Sequence, residues 1–157
     1  FPEKLIPNVI LKAINKEQIP IYGNGQNIRD WLFVEDHVQA ILLASIYGKV
    51  GDQYCIGGNE EKTNNEVVKS ICKILDKKIP IEESYNNLIC YVKDRPGHDK
   101  RYAIDSSKIR SSFGWEPKNG FSEGLEKTVN WYLKNIDWCK YMYKKSSYGG
   151  ERLGVLD

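Results

Sequence analysis

The chain has 157 residues, and its 23 Lys and Arg side chains against 21 Asp and Glu give a formal net charge of +2. This length is typical of one domain with a buried core, and the 41% hydrophobic and 28% charged residues argue against disorder. The near-balanced charge gives no broad field for binding nucleic acid, and no apolar run approaches the ~20 residues of a membrane span. We therefore expect neither a nucleic-acid nor a membrane partner.

The predicted elements of the first half alternate between helices and short strands. Apolar residues at helical spacing predict a helix over residues 5–15 and a clearer one over Glu35–Tyr47. Ile19–Tyr22 and Ile28–Val34 are extended segments that flank an Asn-Gly turn, which predicts a β-hairpin. A short strand is predicted at Gln53–Ile56. The pattern is mixed α and β without the regular alternation of a complete doubly wound sheet.

In the second half, a capping-box pattern at Thr63–Glu66 predicts the start of a helix. A strand is predicted at Leu88–Val92, followed by a polar loop over Asp94–Arg101. Asp105 is expected to cap a short helix, and a last helix is expected from Ser122. The residues from 144 to 157 are expected to form an irregular tail.

Four cysteines, Cys55, Cys72, Cys90 and Cys139, lie far apart and form no Cys-x-x-Cys pair. Only two histidines could complete a metal site, so we expect no metal. Large apolar or aromatic neighbours favour four reduced cysteines in the core of a cytoplasmic protein. The chain begins at Phe1 without an initiator methionine, and we expect it to be a fragment.

The glycine-rich segment Gly23-Asn-Gly25 begins like a dinucleotide-binding fingerprint but lacks the third glycine. It also leads into an extended segment, whereas a turn that binds pyrophosphate must open a helix. We therefore predict no NAD-binding loop in this sequence.

Three other polar features each allow two interpretations. Arg95, in the loop Asp94–Asp99, carries planar donors suited to phosphate oxygens, but the loop could equally be a solvated turn with surface ion pairs. Arg29 could bind a ligand or stack on Trp31. Asn64 falls in the first turn of a predicted helix, where capping alone explains it.

Several segments, taken in order, carry a resemblance to a known family. The sequence resembles the C-terminal half of the dTDP-glucose 4,6-dehydratases, which belong to the extended short-chain dehydrogenases/reductases. The resemblance covers residues 1 to about 135. The segments that carry it are Phe1–Pro7, Pro20–Gly23, Ile28–Leu32, Val34–His37, Tyr54–Gly58, Asp94–His98, Arg101–Asp105 and Gly114–Pro117.

The resemblance implies an α/β fold that forms the substrate-binding part of such an enzyme, with strands and a helix that would complete the edge of a Rossmann sheet. It implies one nucleotide-sugar-binding domain over residues 1–157, in which residues 28–58 pack on an absent N-terminal NAD-binding half. In the family that half carries the Rossmann fingerprint and a Tyr-x-x-x-Lys pair. Tyr141 and Lys145 match this pair by spacing but lie beyond the last predicted helix, so we interpret the match as chance.

The resemblance also implies site residues and partners. Lys4 and Leu5 match contacts to the nucleotide-sugar, Pro20, Ile21 and Tyr22 line the nucleobase, and Arg29 and Arg95 bind the diphosphate. No catalytic residue is implied. The other implied substrate-binding residues are Asn64, Asp94, Pro96, Gly97, His98 and Tyr148.

The implied partners are dTDP-glucose, the missing Rossmann half and, in the parent enzyme, NAD and a second subunit. The implied reaction oxidises the sugar with NAD, eliminates water and returns the hydride, and the fragment alone is expected to be inactive. A UDP-sugar 4,6-dehydratase or nucleotide-sugar epimerase of the same family, a non-catalytic nucleotide-sugar-binding module, and an interaction domain without a ligand remain alternatives.

Overall fold

The computed structural model describes residues 4–145, which form six α-helices and five short strands. A 3-10 turn at Tyr85–Leu88 precedes the fourth strand. The mixture of helices and small sheets confirms the α/β class. The helices are α1 (Leu5–Ile14), α2 (Val34–Tyr47), α3 (Asn64–Lys78), α4 (Ser107–Phe113), α5 (Phe121–Lys134) and α6 (Ile136–Lys145). The strands are β1 (Ile19–Tyr22), β2 (Ile28–Asp30), β3 (Glu61–Thr63), β4 (Ile89–Val92) and β5 (Arg101–Tyr102).

The strands form two separate small sheets. β1 pairs with β4 in parallel, whereas β2 lies between antiparallel β3 and parallel β5. The hairpin predicted between β1 and β2 is therefore wrong. The Gly23 N–H donates to the Val92 carbonyl (2.9 Å), which continues the pairing with β4 past the end of β1. The chain then crosses into the other sheet, where both edges of β2 are occupied.

The main core lies between three helices and β1. Its fully buried side chains come from α1, α3, α5 and the inward face of β1, and burying each one contributes roughly 1.5–3 kcal/mol. This core gives the ends of β1 and β4 a rigid base. Its members include Val9, Ile10, Ile19, Ile21, Val67, Val68, Ile71, Leu75 and Val129, all between 0% and 1% exposed.

Helix α2 differs from the other long helices because its apolar stripe is not covered. Val38, Ile41 and Leu42 are 48%, 46% and 54% exposed, and the two buried residues of the helix are Asp36 and Ala40. The sequence predicted this helix, and the resemblance implied that residues 28–58 pack on an N-terminal half. Within residues 4–145, α2 therefore presents an apolar face to solvent.

Other expectations need correction. Residues 52–58 pair with no strand of the described region, so the strand predicted at Gln53–Ile56 is not formed there. The sequence missed α6, which reaches Lys145 and so extends two residues into the predicted tail. Cys55 is exposed and Cys90 is half-buried, so the expectation of four core cysteines is wrong for these two, whereas Cys72 and Cys139 are buried. Among residues 4–145, no helix has both the length and the apolar character that crossing a bilayer requires.

Candidate functional site

Two loops lie side by side where the parallel strands β1 and β4 end. Tyr22 pairs with Val92 at the carboxyl ends of these strands, so the segments that follow leave from the same edge. These segments are the turn Gly23–Asn27 and the loop over residues 93–100. The Ile28 N–H donates to the Lys100 carbonyl at 2.8 Å, which joins the far ends of both segments.

The loop Asp94–His98 is held together by its own acidic residue. Asp94 Oδ1 accepts hydrogen bonds from the Arg95 backbone N–H at 2.9 Å and from His98 Nδ1 at 2.7 Å. The His98 bond lowers the pKa of Asp94 below its ordinary value; slight burial acts in the opposite direction, and the Arg95 N–H adds to the lowering. Gly97 has a φ of +66°, which a glycine adopts without strain. The loop is therefore pre-shaped, with Arg95 and Pro96 exposed.

The strand β1 presents Pro20 and Tyr22 on one face and Ile21 on the other. Ile21 is 1% exposed and belongs to the main core, so it can offer a ligand only its backbone. The Tyr22 ring meets the His98 imidazole edge-on, with ring centroids 6.3 Å apart and planes at 83°. The imidazole is only 6% exposed, so Tyr22 and the loop form one continuous surface.

Arg29 on β2 points toward the same loop. Its Nη2 donates to the Asp99 carbonyl at 3.0 Å and its Nη1 to the Ile28 carbonyl at 2.6 Å. The guanidinium carbon lies 5.7 Å from the centre of the Tyr102 ring. The aromatic partner is thus Tyr102 and not Trp31, the alternative that the sequence offered.

The remaining predicted residues occupy different positions. Thr63 and Glu66 form the predicted capping box of α3, so Asn64 is not the cap; its backbone N–H donates to the Asn27 carbonyl at 3.0 Å. Lys4 is exposed at the start of α1, where Leu5 packs against the main core. Tyr148 lies outside the described residues.

The sequence missed several residues that shape the site. Asn65 Nδ2 donates to the Asn24 carbonyl at 2.8 Å, and the Tyr91 hydroxyl donates to Asn65 Oδ1 at 3.2 Å. The first bond attaches the Gly23–Asn27 turn to the start of α3, and the second joins β4 to the same Asn65 side chain. The only sequence signal was an excess of Asn in a turn, which is ordinary turn chemistry.

The described residues do not fit a dinucleotide cofactor. Gly23-Asn-Gly25 leads into β2, so the turn does not place helix N–H groups where a pyrophosphate could bind. Tyr141 and Lys145 both lie on α6, so the expectation that the pair falls beyond the last helix is wrong. The Lys145 Nζ is 6.0 Å from the Tyr141 ring centre. Tyr141 is 60% exposed on this helix. Within residues 4–145 no cluster of His, Cys, Asp or Glu side chains could hold a metal ion.

Comparison with known proteins decides the family. The model of the family described as GDP-mannose 4,6 dehydratase matches residues 1–128. The chain belongs to this family. Its relatives within the family include a dTDP-glucose 4,6-dehydratase of Escherichia coli, which is 50% identical over 161 residues. That alignment covers 100% of this chain and 44% of the relative.

Solved structures agree with the family assignment. A dTDP-glucose 4,6-dehydratase from Bacillus anthracis, in complex with NAD, is 46% identical with a TM-score of 0.80, over 90% of this chain and 43% of that one. DesIV, a dTDP-glucose 4,6-dehydratase from Streptomyces venezuelae with NAD bound, is 37% identical with a TM-score of 0.76. This match covers 87% of this chain and 40% of DesIV. The family member described here therefore spans less than half the length of these relatives.

Proposed function

We propose that this chain is the nucleotide-sugar-binding part of a dTDP-glucose 4,6-dehydratase. The complete enzyme would convert dTDP-glucose to dTDP-4-keto-6-deoxyglucose by NAD-dependent oxidation, elimination of water and re-reduction, which makes it a lyase. The identity of 50% to the Escherichia coli enzyme across the whole chain supports this substrate.

The observation that carries the proposal is the contact between Arg29 and the loop of Arg95. Arg29 Nη2 binds the carbonyl of Asp99, which directly follows the Asp94–His98 loop. Two arginines are thereby associated with one edge of the fold, and planar guanidinium groups bind phosphate oxygens through paired hydrogen bonds. A guanidinium has five N–H donors, so Arg29 keeps donors for a ligand beyond the two bonds described. The pair would neutralise the two negative charges of a diphosphate ester.

The nucleobase would lie beside β1, where Pro20 and Tyr22 face outward and Ile21 offers backbone groups. His98 supports the Tyr22 ring from its edge. The remaining residues of the proposed substrate site are Lys4, Leu5, Asn64, Asp94, Pro96, Gly97 and Tyr148.

The redox chemistry would belong to a region that the relatives have beyond the part matched here. NAD would be bound there, because residues 4–145 offer no turn that fits its pyrophosphate. We expect this chain alone to bind the nucleotide-sugar without converting it. The exposed face of α2 and the unpaired 52–58 segment, both within residues 28–58, would pack against that region. The complete enzyme would be a cytoplasmic homodimer.

Calorimetric titration of the chain with dTDP-glucose, with UDP-glucose as competitor, tests the proposal. Wild type should prefer dTDP-glucose, and Arg29→Ala or Arg95→Ala should each weaken binding by about tenfold or more, since a hydrogen bond to a charged group contributes about 1.5–3 kcal/mol. Arg110→Ala is the matched control, because Arg110 on α4 lies beside the Trp115 ring and is not one of the proposed site residues. A folded wild type that binds neither ligand, or an Arg95→Ala variant that binds like wild type, would contradict the proposal.

A further inference from the structure

Asn27 is a buried polar residue at the end of the Gly23–Asn27 turn. It is 8% exposed, and its side-chain Nδ2 donates to the Asp99 carbonyl at 3.2 Å. Its own carbonyl accepts the Asn64 N–H at 3.0 Å, at the start of α3. One residue therefore joins the turn after β1, the loop after β4 and the first turn of a core helix.

The Asp99 carbonyl is shared between Asn27 and Arg29. Arg29 Nη2 donates to this oxygen at 3.0 Å and Asn27 Nδ2 at 3.2 Å. A carbonyl oxygen has two lone pairs, and these two donors use both. The Arg29 guanidinium is thus bound to the Asp99 carbonyl oxygen, and the buried Asn27 amide holds the same oxygen in place.

We propose that Asn27 is a positioning residue that sets the spacing between Arg29 and Arg95. The inference rests on the proposed function, and it names the residue that prepares the two arginines for a diphosphate. Arg95 and Asp99 belong to the same loop over residues 93–100, so the Asp99 carbonyl that binds Arg29 also ties Arg29 to the loop of Arg95. Binding energy is lost when groups must be ordered during binding, so a preset spacing favours the diphosphate.

The inference depends on the N–H donor of the Asn27 amide and not on the shape of the side chain. Asn27→Asp keeps the size of the side chain but replaces the donor with a second acceptor, which faces the Asp99 carbonyl without a proton to share. Asn27→Gln keeps the donor on a chain that is one methylene longer. The adjacent Gln26 is exposed, so Gln26→Glu makes the same chemical change without touching Asp99.

The first test needs no ligand. Nitrogen NMR of the arginine side chains, with the Arg29 signal assigned through Arg29→Lys, should show a restricted guanidinium in wild type and in Gln26→Glu. In Asn27→Asp the Arg29 signal should show a less restricted guanidinium, which keeps its bond to the Ile28 carbonyl and its contact with Tyr102. The melting temperature reports whether the fold persists. An Arg29 signal that is unchanged in a folded Asn27→Asp variant would overturn the inference.

The second test compares dTDP with dTMP, which carries one phosphate fewer. Asn27→Asp should weaken dTDP binding about tenfold and dTMP binding much less, and Asn27→Gln should recover most of the loss. An equal loss for both nucleotides would indicate a merely structural residue and would also overturn the inference. If wild type binds no dTDP, the proposed function fails, and the diphosphate role of Asn27 fails with it. The NMR result would then report only a structural contact, so the two failures are distinguishable.

Discussion

Asp94 and His98 contact each other across a single turn of the loop that carries Arg95, with His98 Nδ1 2.7 Å from Asp94 Oδ1. The bond lowers the pKa of Asp94. The protonated carboxyl cannot accept it in the same way, so the loop should loosen in acid. A carboxyl with a depressed pKa adds stability above its ordinary pKa, and that stability is lost as the pH falls through the depressed value.

His98→Ala should therefore raise the pKa of Asp94 toward its ordinary value, because the largest cause of the lowering is removed. Carbon NMR of the side-chain carboxyl, followed from pH 7 down to about pH 2, measures this directly. His37→Ala, which removes an exposed imidazole from α2, should leave the Asp94 titration unchanged. Equal Asp94 titrations in wild type and His98→Ala would show that the contact does not form in solution.

A second carboxylate, Asp36, is buried and fully engaged. It is 1% exposed, and it accepts the N–H groups of Lys118 and Asn119 at 3.1 Å each and the Asn119 amide at 3.0 Å. Burial raises its pKa, but the Asn119 and Lys118 hydrogen bonds outweigh this, so the net shift is downward. Its contribution to stability is therefore complete at neutral pH and is lost as the pH falls through its lowered pKa.

Asp36→Ala should lower the free energy of unfolding by about 3 kcal/mol, because three donors lose a charged acceptor. Asp36→Asn should cost less, since its amide oxygen still accepts. Urea denaturation at pH 7 measures both. Asp137→Ala, on an exposed position of α6, should stay within about 0.5 kcal/mol of wild type. A cost for Asp36→Ala no larger than that of Asp137→Ala would refute the role of Asp36 in holding the α4–α5 connection to α2.

The sequence predicted best the features that depend on residues close together along the chain. The capping box of α3 was predicted, since it depends on a few neighbouring residues. The predicted hairpin was wrong because β1 and β2 pair with strands more than thirty residues away along the chain. No local sequence pattern determines such pairing. Helix α6 was missed because its aromatic residues Trp138 and Tyr141 are exposed. Apolar residues on the solvent side of a helix make its apolar stripe hard to recognise in the sequence.

In the candidate site, too, the sequence predicted individual residues but not the contacts between distant segments. The resemblance supplied Arg29 and Arg95, but sequence neighbourhood suggested Trp31 as the aromatic partner of Arg29. The actual partner, Tyr102, lies directly across from Arg29 in the parallel pairing of β2 and β5. The shared Asp99 carbonyl could not be predicted either, because it depends on the packing of two loops that are distant along the chain.

Two glycines with positive φ allow a separate test of the turn and the loop. Gly97 has a φ of +66°, and the space that a Cβ would occupy there is open, so Gly97→Ala should cost only the backbone strain of about 1–2 kcal/mol. Gly25 has a φ of +70°, and a Cβ there would overlap the Asn65 carboxamide. Gly25→Ala must therefore also break the Asn65 bonds to Asn24 and Tyr91.

Gly25→Ala should consequently lower the free energy of unfolding by about 2 kcal/mol more than Gly97→Ala. Urea denaturation of the two variants beside wild type measures the difference. The double variant Gly25→Ala/Asn65→Ala, in which the overlapping carboxamide is removed, should recover part of the steric cost. Equal costs for the two glycine variants would show that the turn is not fixed against α3.

The uncovered face of α2 should make the chain associate at high concentration, because contiguous exposed apolar residues drive contact between molecules. Ile41→Lys/Leu42→Lys should suppress this association, since both side chains are about half exposed, at 46% and 54%. The melting temperature should change little for the same reason. Sedimentation velocity over a concentration series measures the association, and Val50→Lys, at an exposed position beyond α2, is the matched control that should associate like wild type. A wild type that stays monomeric at every concentration would contradict the prediction, and association that persists in the double variant would assign the contact to another surface.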